Sequence, residues 1–142
     1  MRIILTLSLI LFSPYIFSLD QYIGLTPNEV VAEFGAPDYV YSERGESQDQ
    51  DDVIFFFDNR IYVYFNQNRA WQLRVDSKYE NDILGVKLGD NIDNVKSTLG
   101  EPYKIYEDSL LYKRPDAGYP VYVRIYYENS KVNDLYIFRG DY

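Results

Sequence analysis

Two residue types are missing from the sequence, and each absence removes a class of chemistry. The 142 residues contain no cysteine and no histidine. Without cysteine there is no disulfide bond, no thiol nucleophile and no cysteine that could carry a lipid anchor. Without histidine the chain lacks the commonest general base and the commonest metal ligand. Together these absences exclude thiol proteases, structural zinc sites and the serine–histidine–aspartate triad.

Positive charge is also scarce. The chain has 14 Lys and Arg residues against 22 Asp and Glu residues, which gives a net charge of −8. DNA, RNA and anionic membranes bind proteins that carry a surplus of positive charge. We therefore expect no nucleic-acid partner and no binding to an anionic membrane surface.

The first 18 residues have the order of a secretory signal peptide. Arg2 precedes an apolar run over residues 3–12, Ser13 and Pro14 end the run, and the small Ser18 marks a cleavage position. The run is too short to span a bilayer. We predict an exported protein that is periplasmic, on the cell surface or secreted, with an uncleaved anchor as the alternative.

One segment of the chain occurs twice, since residues 23–37 return as residues 88–102. In the first copy, Thr26 predicts an N-cap, Pro27 the first helical position and Glu29 the partner in a capping box. Gly35 is typical of a helix end. Asn91 is the corresponding cap in the second copy. Positions that match between the copies are Gly24/Gly89, Val30/Val95, Phe34/Leu99, Gly35/Gly100 and Pro37/Pro102.

Strand-forming segments follow each predicted helix. The first four cover residues 39–42, 53–57, 61–65 and 71–75, and the second four cover residues 103–107, 110–114, 121–127 and 133–138. The predicted fold class is therefore α+β, with two tandem units, each a short helix packed on a four-stranded antiparallel sheet. The units cover residues 19–80 and 81–142.

The repeated segment resembles a known domain opening. The residues that carry the likeness are Gly24-Leu25-Thr26, Val30, Phe34-Gly35 and Pro37, and they resemble the start of the SmpA/OmlA (BamE) domain. Two such units after a signal peptide resemble the β-lactamase inhibitor protein (BLIP) family. The resemblance implies that a concave, aromatic sheet face and turns from both units bind a partner enzyme.

Alternation along the strands separates a core face from an open face. The open face is predicted to carry Tyr62, Tyr64, Gln72, Arg74, Tyr122, Arg124, Tyr126, Tyr136 and Phe138. Tyrosine and arginine are enriched at protein interfaces, although cross-strand Tyr–Arg pairs also stabilise sheets without any partner. The same alternation predicts that Trp71 fills the core between the units.

An acidic loop over residues 43–52 is the second candidate site. Asp49, Asp51 and Asp52 could supply calcium ligands, but the loop lacks the glycine and glutamate positions of an EF-hand. We expect a solvated hairpin loop. The alternative is that its carboxylates insert into a basic cleft of a partner.

The sequence thus predicts an exported, non-enzymatic module that binds a protein in the cell envelope or outside the cell. The predicted partner-binding residues are Tyr62, Tyr64, Arg74, Tyr122, Arg124, Tyr126, Tyr136, Asp49, Asp51 and Asp52. No catalytic residue, metal or cofactor is predicted, because the carboxylates lie in loops without an apolar pocket to raise a pKa. An inhibitor of a secreted hydrolase such as a β-lactamase and an outer-membrane assembly or scaffold component stay open as alternatives. A homodimer is also left open.

Overall fold

Two short helices begin and end where the sequence predicts. The computed structural model describes residues 18–142, in which α1 spans Pro27–Phe34 and α2 spans Ile92–Leu99. The Thr26 hydroxyl accepts a hydrogen bond from the Glu29 N–H at 3.3 Å, and the Glu29 carboxylate accepts one from the Thr26 N–H at 2.8 Å. This reciprocal pair confirms the capping box. Except for Ser18, the predicted signal peptide lies outside the described residues.

Eight strands form one antiparallel sheet in the order β1-β2-β3-β4-β8-β7-β6-β5. Their bounds are β1 Tyr39–Glu43, β2 Asp52–Phe57, β3 Ile61–Asn66, β4 Arg69–Asp76, β5 Lys104–Ile105, β6 Ser109–Lys113, β7 Val121–Glu128 and β8 Lys131–Arg139. Each strand begins and ends within about two residues of its predicted position, because alternation and turn residues are local signals.

The prediction of two tandem units with separate four-stranded sheets is wrong. Strands β4 and β8 pair directly, from Gln72 opposite Phe138 to Asp76 opposite Asp134, and this pairing makes a single sheet. An unpaired edge would leave backbone N–H and C=O groups without partners. The β4–β8 ladder satisfies those groups, and the strand pattern alone does not reveal which edges meet.

Both helices pack on the same side of the sheet. Val30 of α1 and Val95 of α2 are completely buried in one apolar core, which also takes in the 3₁₀ turn Leu19–Tyr22. Core residues come from both sides of the boundary predicted at residues 80/81. The strand residues that alternation places in this core include Ile61, Val63, Phe65, Leu73, Val75, Val121, Val123, Ile125, Leu135 and Ile137. No helix within residues 18–142 has the length and apolar character needed to cross a membrane.

Two hairpins set the register of the central strands. The β3–β4 turn places Gln67 and Asn68 at positive φ, and the β7–β8 turn does the same with Asn129 and Ser130. Two consecutive positive φ values are the signature of a type I′ turn, whose twist matches that of the strands. Each hairpin also contains a register shift, after Tyr64 in β3 and after Tyr126 in β7.

Gly35 provides a test of the helix end. Its backbone has φ 84° and ψ −172°, a combination that is essentially restricted to glycine. A Cβ at this position would meet no atom within 4 Å, so the backbone alone opposes a side chain. Gly35→Ala should therefore lower the free energy of unfolding by about 1–3 kcal/mol in chemical denaturation. The neighbouring exposed control Ala36→Ser should change it by less than about 0.5 kcal/mol. Equal stability of Gly35→Ala and the wild type would contradict this assignment.

Candidate functional site

The open face is continuous across the four central strands. Tyr62 lies opposite Arg74, Arg74 opposite Tyr136, and Tyr136 opposite Arg124, so that aromatic and cationic side chains alternate across β3, β4, β8 and β7. The neighbouring row consists of Tyr64, Gln72, Phe138 and Tyr122. Directly opposed residues share one face of a sheet. The structure thus brings the predicted tyrosines and arginines together, while their role in binding stays a prediction.

Arg74 is held rigidly at the middle of the open face. Its Nε lies 3.0 and 3.1 Å from the two carboxylate oxygens of Asp134, and Nη2 lies 2.6 Å from one of them. The guanidinium also lies 5.2 Å from the ring centre of Tyr62 and 5.6 Å from that of Tyr136. Hydrogen bonding to Asp134 raises the pKa of Arg74. Arg74 therefore stays charged, and its charge is already matched within the chain.

A second ion pair lies at the end of the same row. Arg60 binds the carboxylate of the buried Asp76, and the Tyr62 hydroxyl donates to that carboxylate at 3.1 Å. Burial opposes ionisation of Asp76, but hydrogen bonds from Arg60, the Lys78 N–H and Tyr62 outweigh it and lower its pKa. Asp76 is thus a structural carboxylate that fixes Tyr62.

Arg124 differs from both of these arginines. It makes no ion pair with any residue in the range 18–142, and its Nε is buried without a hydrogen-bond partner. Its Nη1 donates to the Tyr126 hydroxyl at 3.5 Å, the long limit of a hydrogen bond. The guanidinium lies 4.7 Å from the ring centre of Tyr106 and 5.9 Å from that of Phe138. Arg124 therefore carries a charge that aromatic rings position and no carboxylate neutralises.

Arg124 lines a shallow depression of about 350 Å³ on the open face, which we call the aromatic pocket. The other residues that line it are Trp71, Gln72, Tyr126, Tyr136, Phe138 and Tyr142. The rings of Tyr126 and Tyr136 meet edge to face at 5.6 Å between centres. The pocket thus combines an unneutralised cation with apolar walls.

The predicted core position of Trp71 is wrong, because Trp71 lies on the open face. Tyr64 pairs with Gln72 and Phe65 with Ala70, so Trp71 is the extra residue of a β-bulge. A bulge shifts alternation by one position and turns the side chain to the other face. The Trp71 ring stacks on Tyr142 at 5.7 Å.

The acidic loop is joined to the sheet by hydrogen bonds from two side chains, the Asn66 amide of β3 and the Trp71 indole of β4. The Trp71 indole N–H donates to both carboxylate oxygens of Asp52 at 3.2 Å. Asp51 accepts the Gly45 N–H at 3.1 Å and so closes the loop on itself. Burial raises the pKa of Asp52, opposed by the hydrogen bonds from Trp71 and Asn66. Asp49 and Asp51 are both exposed, and a hydrogen bond from Ser47 lowers the pKa of Asp49.

The described residues contain no group of three or more side chains placed to hold a metal ion. Within residues 18–142, no cluster of ligands therefore supports a calcium site in the loop.

Two residues of the site, Trp71 and Tyr142, were not predicted from the sequence. The residues beside Trp71 carry no pattern that signals the bulge.

Comparison with known proteins adds information about the fold. No protein-family model matches the chain, and no curated protein matches it. A cysteine-rich secretory protein from Staphylococcus aureus subsp. aureus Mu50 superimposes with a TM-score of 0.63 at 14% identity, over 88% of this chain and 46% of that one. An extracellular protein containing an SCP domain from Bacillus anthracis str. Ames superimposes with a TM-score of 0.61 at 8% identity, over 97% of this chain and 51% of that one. The chain spans about half the length of each, and identities this low show the fold alone.

These findings overturn the resemblance to the SmpA/OmlA (BamE) domain and to the BLIP family. The structural likeness is to SCP-domain proteins, and the sheet is single. The motif that suggested the resemblance covers a capped helix and its glycine end. Such caps provide hydrogen-bond partners for the N–H and C=O groups at the ends of a helix, which lack partners within it. They therefore recur in unrelated folds.

Tyr136 provides a test of how closed the aromatic pocket is. Burial and, next, the Asp134 carboxylate raise the pKa of Tyr136 from 10 to about 12. The unfolded chain therefore releases this proton first, and the free energy of unfolding should fall as pH rises from 10 to 12. In denaturation measured across this range, Tyr136→Phe should show a shallower fall than the wild type. Tyr103→Phe, at a tyrosine that is 65% exposed, is the matched control. Equal slopes for Tyr136→Phe and the wild type would refute the burial of this hydroxyl.

Proposed function

We propose that the protein is an exported, non-enzymatic module that binds another protein through the open face. The observation that carries this proposal is the surface of Tyr, Trp, Phe and Arg side chains on β3, β4, β8 and β7, which is interrupted in its second row by Gln72. Residues of these types, above all Tyr, Trp and Arg, dominate the binding energy of protein interfaces. The surface is broad and its depression shallow, which suits a macromolecular partner better than an enclosed small ligand.

The charge pattern of the site describes the partner further. Within the described residues the open face presents Arg124 without a carboxylate partner, and Lys104 and Lys113 lie without an ion pair on its outer strands, while the adjoining loop presents an exposed carboxylate, Asp49. A complementary partner surface has an acidic group at its centre and basic groups toward its rim. Such complementarity fixes orientation and raises the association rate.

A binding role also fits the state of the carboxylates on this face. Asp76 is held by Arg60, and Asp134 is held by Arg74. General acid–base catalysis needs a titratable group within reach of a substrate and with a pKa near the working pH. Both carboxylates are instead committed to ion pairs within the sheet.

Export is supported by two independent observations. The amino-terminal pattern of Arg2 followed by the apolar run over residues 3–12 is typical of a signal peptide. The two structural neighbours are described as secretory and as extracellular. We propose the cell envelope or the medium as the place where the partner is met.

The aromatic side chains of the open face should carry the binding energy. Tyr64→Ala and Tyr126→Ala should each weaken partner binding by about 2 kcal/mol or more, because each removes an aromatic contact at the centre of the surface. The experiment is affinity capture from an envelope fraction with wild type and variants, followed by calorimetry with the purified partner. Asn94→Ala, an exposed change on α2 on the opposite side of the sheet, is the matched control.

Each outcome of this experiment is informative. A protein retained by the wild type and by Asn94→Ala, but lost with both tyrosine variants, supports the proposal. Stoichiometric inhibition of a captured hydrolase would define the module as an inhibitor, and co-purification of an outer-membrane complex would define it as an assembly component. Binding that survives both tyrosine changes refutes the open face as the site. Sedimentation of the purified chain at increasing concentration tests a second copy as the partner.

Asp49 should act on the rate of association. Asp49→Asn should slow association, flatten its salt dependence and leave dissociation unchanged, because an exposed charge at the rim steers the encounter. Asp51 and Asp52 are left intact because they hold the Gly45 N–H and the Trp71 indole. Glu33→Gln on α1 makes the same charge change on the helix side and should have a smaller effect. Loss of binding with Asp49→Asn would instead make the loop a direct ligand of the partner.

A further inference from the structure

Arg124 stands apart from the other arginines in the strands. Arg69, Arg74 and Arg139 each lie within 4.0 Å of a carboxylate oxygen. Arg124 has no such neighbour in the part of the chain that the structure describes. The Asp108 carboxylate acts on it only at longer range and accepts a hydrogen bond from the Ser109 hydroxyl at 3.1 Å. The fold therefore places a permanent positive charge on the open face without a counter-ion.

The hydrogen-bonding capacity of Arg124 is largely unused. Its Nε is buried with no acceptor, and the single contact of Nη1, to the Tyr126 hydroxyl, is 3.5 Å long. A guanidinium offers five N–H donors in a planar fork, and a carboxylate is the group that matches this fork best. A carboxylate placed in the pocket would accept from the terminal Nη donors of the guanidinium and would supply the missing charge.

The surroundings of Arg124 prepare it for such a group. Tyr106 and Phe138 lie against the guanidinium at 4.7 and 5.9 Å, which restricts its orientation before any ligand arrives. The rings of Trp71, Tyr126 and Tyr136 line the same pocket and reduce its contact with water. An ion pair is stronger in such surroundings than at an open surface.

The backbone around Arg124 indicates whether the bound carboxylate belongs to a side chain or to a chain terminus. Arg124 lies in β7, between Leu111 of β6 and Tyr136 of β8, so the backbone groups of this strand belong to the sheet ladders. Recognition of a chain's terminal carboxylate commonly uses a nest of free backbone N–H groups. Side-chain recognition needs only the guanidinium and apolar walls. This arrangement favours an acidic side chain of a folded partner over a free chain end.

We propose that Arg124 binds an aspartate or glutamate side chain of the protein partner, and that the aromatic pocket holds the apolar residues beside it. This inference rests on the proposed function of the open face and names the chemistry at its centre. The partner's carboxylate takes the place that Asp134 occupies at Arg74. Arg124 thereby sets the specificity of the open face for an acidic residue flanked by apolar ones.

Trp71 makes the test direct, because it is the single tryptophan of the chain and lines the pocket. Binding is measured from the change in Trp71 fluorescence on titration with three pentapeptides. The first is capped at both ends and has glutamate between two phenylalanines. The second replaces this glutamate with glutamine, and the third is the glutamine peptide with a free terminal carboxylate. The glutamate peptide should bind the wild type about tenfold or more tighter than the capped glutamine peptide. Arg124→Gln should abolish that preference, while Arg44→Gln, at an exposed loop arginine, should retain it.

Several results would overturn the inference. The first is equal binding of the capped glutamate and glutamine peptides up to about 10 mM. The second is a preference for glutamate that survives in Arg124→Gln. The third is that the peptide with a free terminal carboxylate binds as tightly as the glutamate peptide. Circular dichroism checks that Arg124→Gln is folded. Arg124→Lys provides a second variant that keeps the charge but loses the fork, and it should weaken the preference without erasing it.

The failure of this inference is distinguishable from the failure of the proposed function. With the captured partner, loss of binding in Tyr64→Ala and Tyr126→Ala but normal binding in Arg124→Gln would keep the open face as the site and reject the carboxylate. Normal binding in all three variants would reject the open face itself. Loss of binding in all three, together with the peptide preference, supports both.

Discussion

The pairing of β4 with β8 is the contact on which the rest of the molecule depends. It joins residues 72–76 to residues 134–138 and turns two groups of four strands into one sheet. On the helix side, Leu73, Val75, Leu135 and Ile137 of these strands are almost completely buried. Because buried apolar side chains and satisfied backbone groups reinforce each other along this ladder, separating the two halves would expose both at once. The open face exists only because this junction is closed.

The junction also decides where charge lies on the open face. Arg74 on β4 reaches Asp134 on β8, so the central ion pair spans the junction itself. An exposed ion pair stabilises a protein by about 1 kcal/mol at most, but this one is partly buried and bidentate, and it fixes the rings of Tyr62 and Tyr136. Arg124, one strand further from the junction, has no carboxylate opposite it. The same pattern of alternating rings and cations therefore produces one neutral, rigid position and one open position.

Local signals predicted local features well. The caps of α1, the strand positions and the faces of Tyr62, Arg74 and Arg124 all follow from hydrogen-bonding chemistry and a period of two. The pairing of β4 with β8 could not be predicted, since it joins segments about sixty residues apart and no local pattern encodes it. The prediction for Trp71 was wrong for a different reason. The bulge opposite Tyr64 and Phe65 shifts the alternation of side chains by one residue. The site was thus predictable except where register or long-range pairing decides the face.

Trp71 gives the bulge a consequence for the site. The extra residue on β4 turns the indole toward the open face, where its N–H binds Asp52 and its ring stacks on Tyr142. One side chain therefore contacts the end of the acidic loop and lines the aromatic pocket that contains Arg124. A regular β4 strand without the bulge would keep Trp71 on the core face, so the irregularity is what places the indole between the acidic loop and the aromatic pocket.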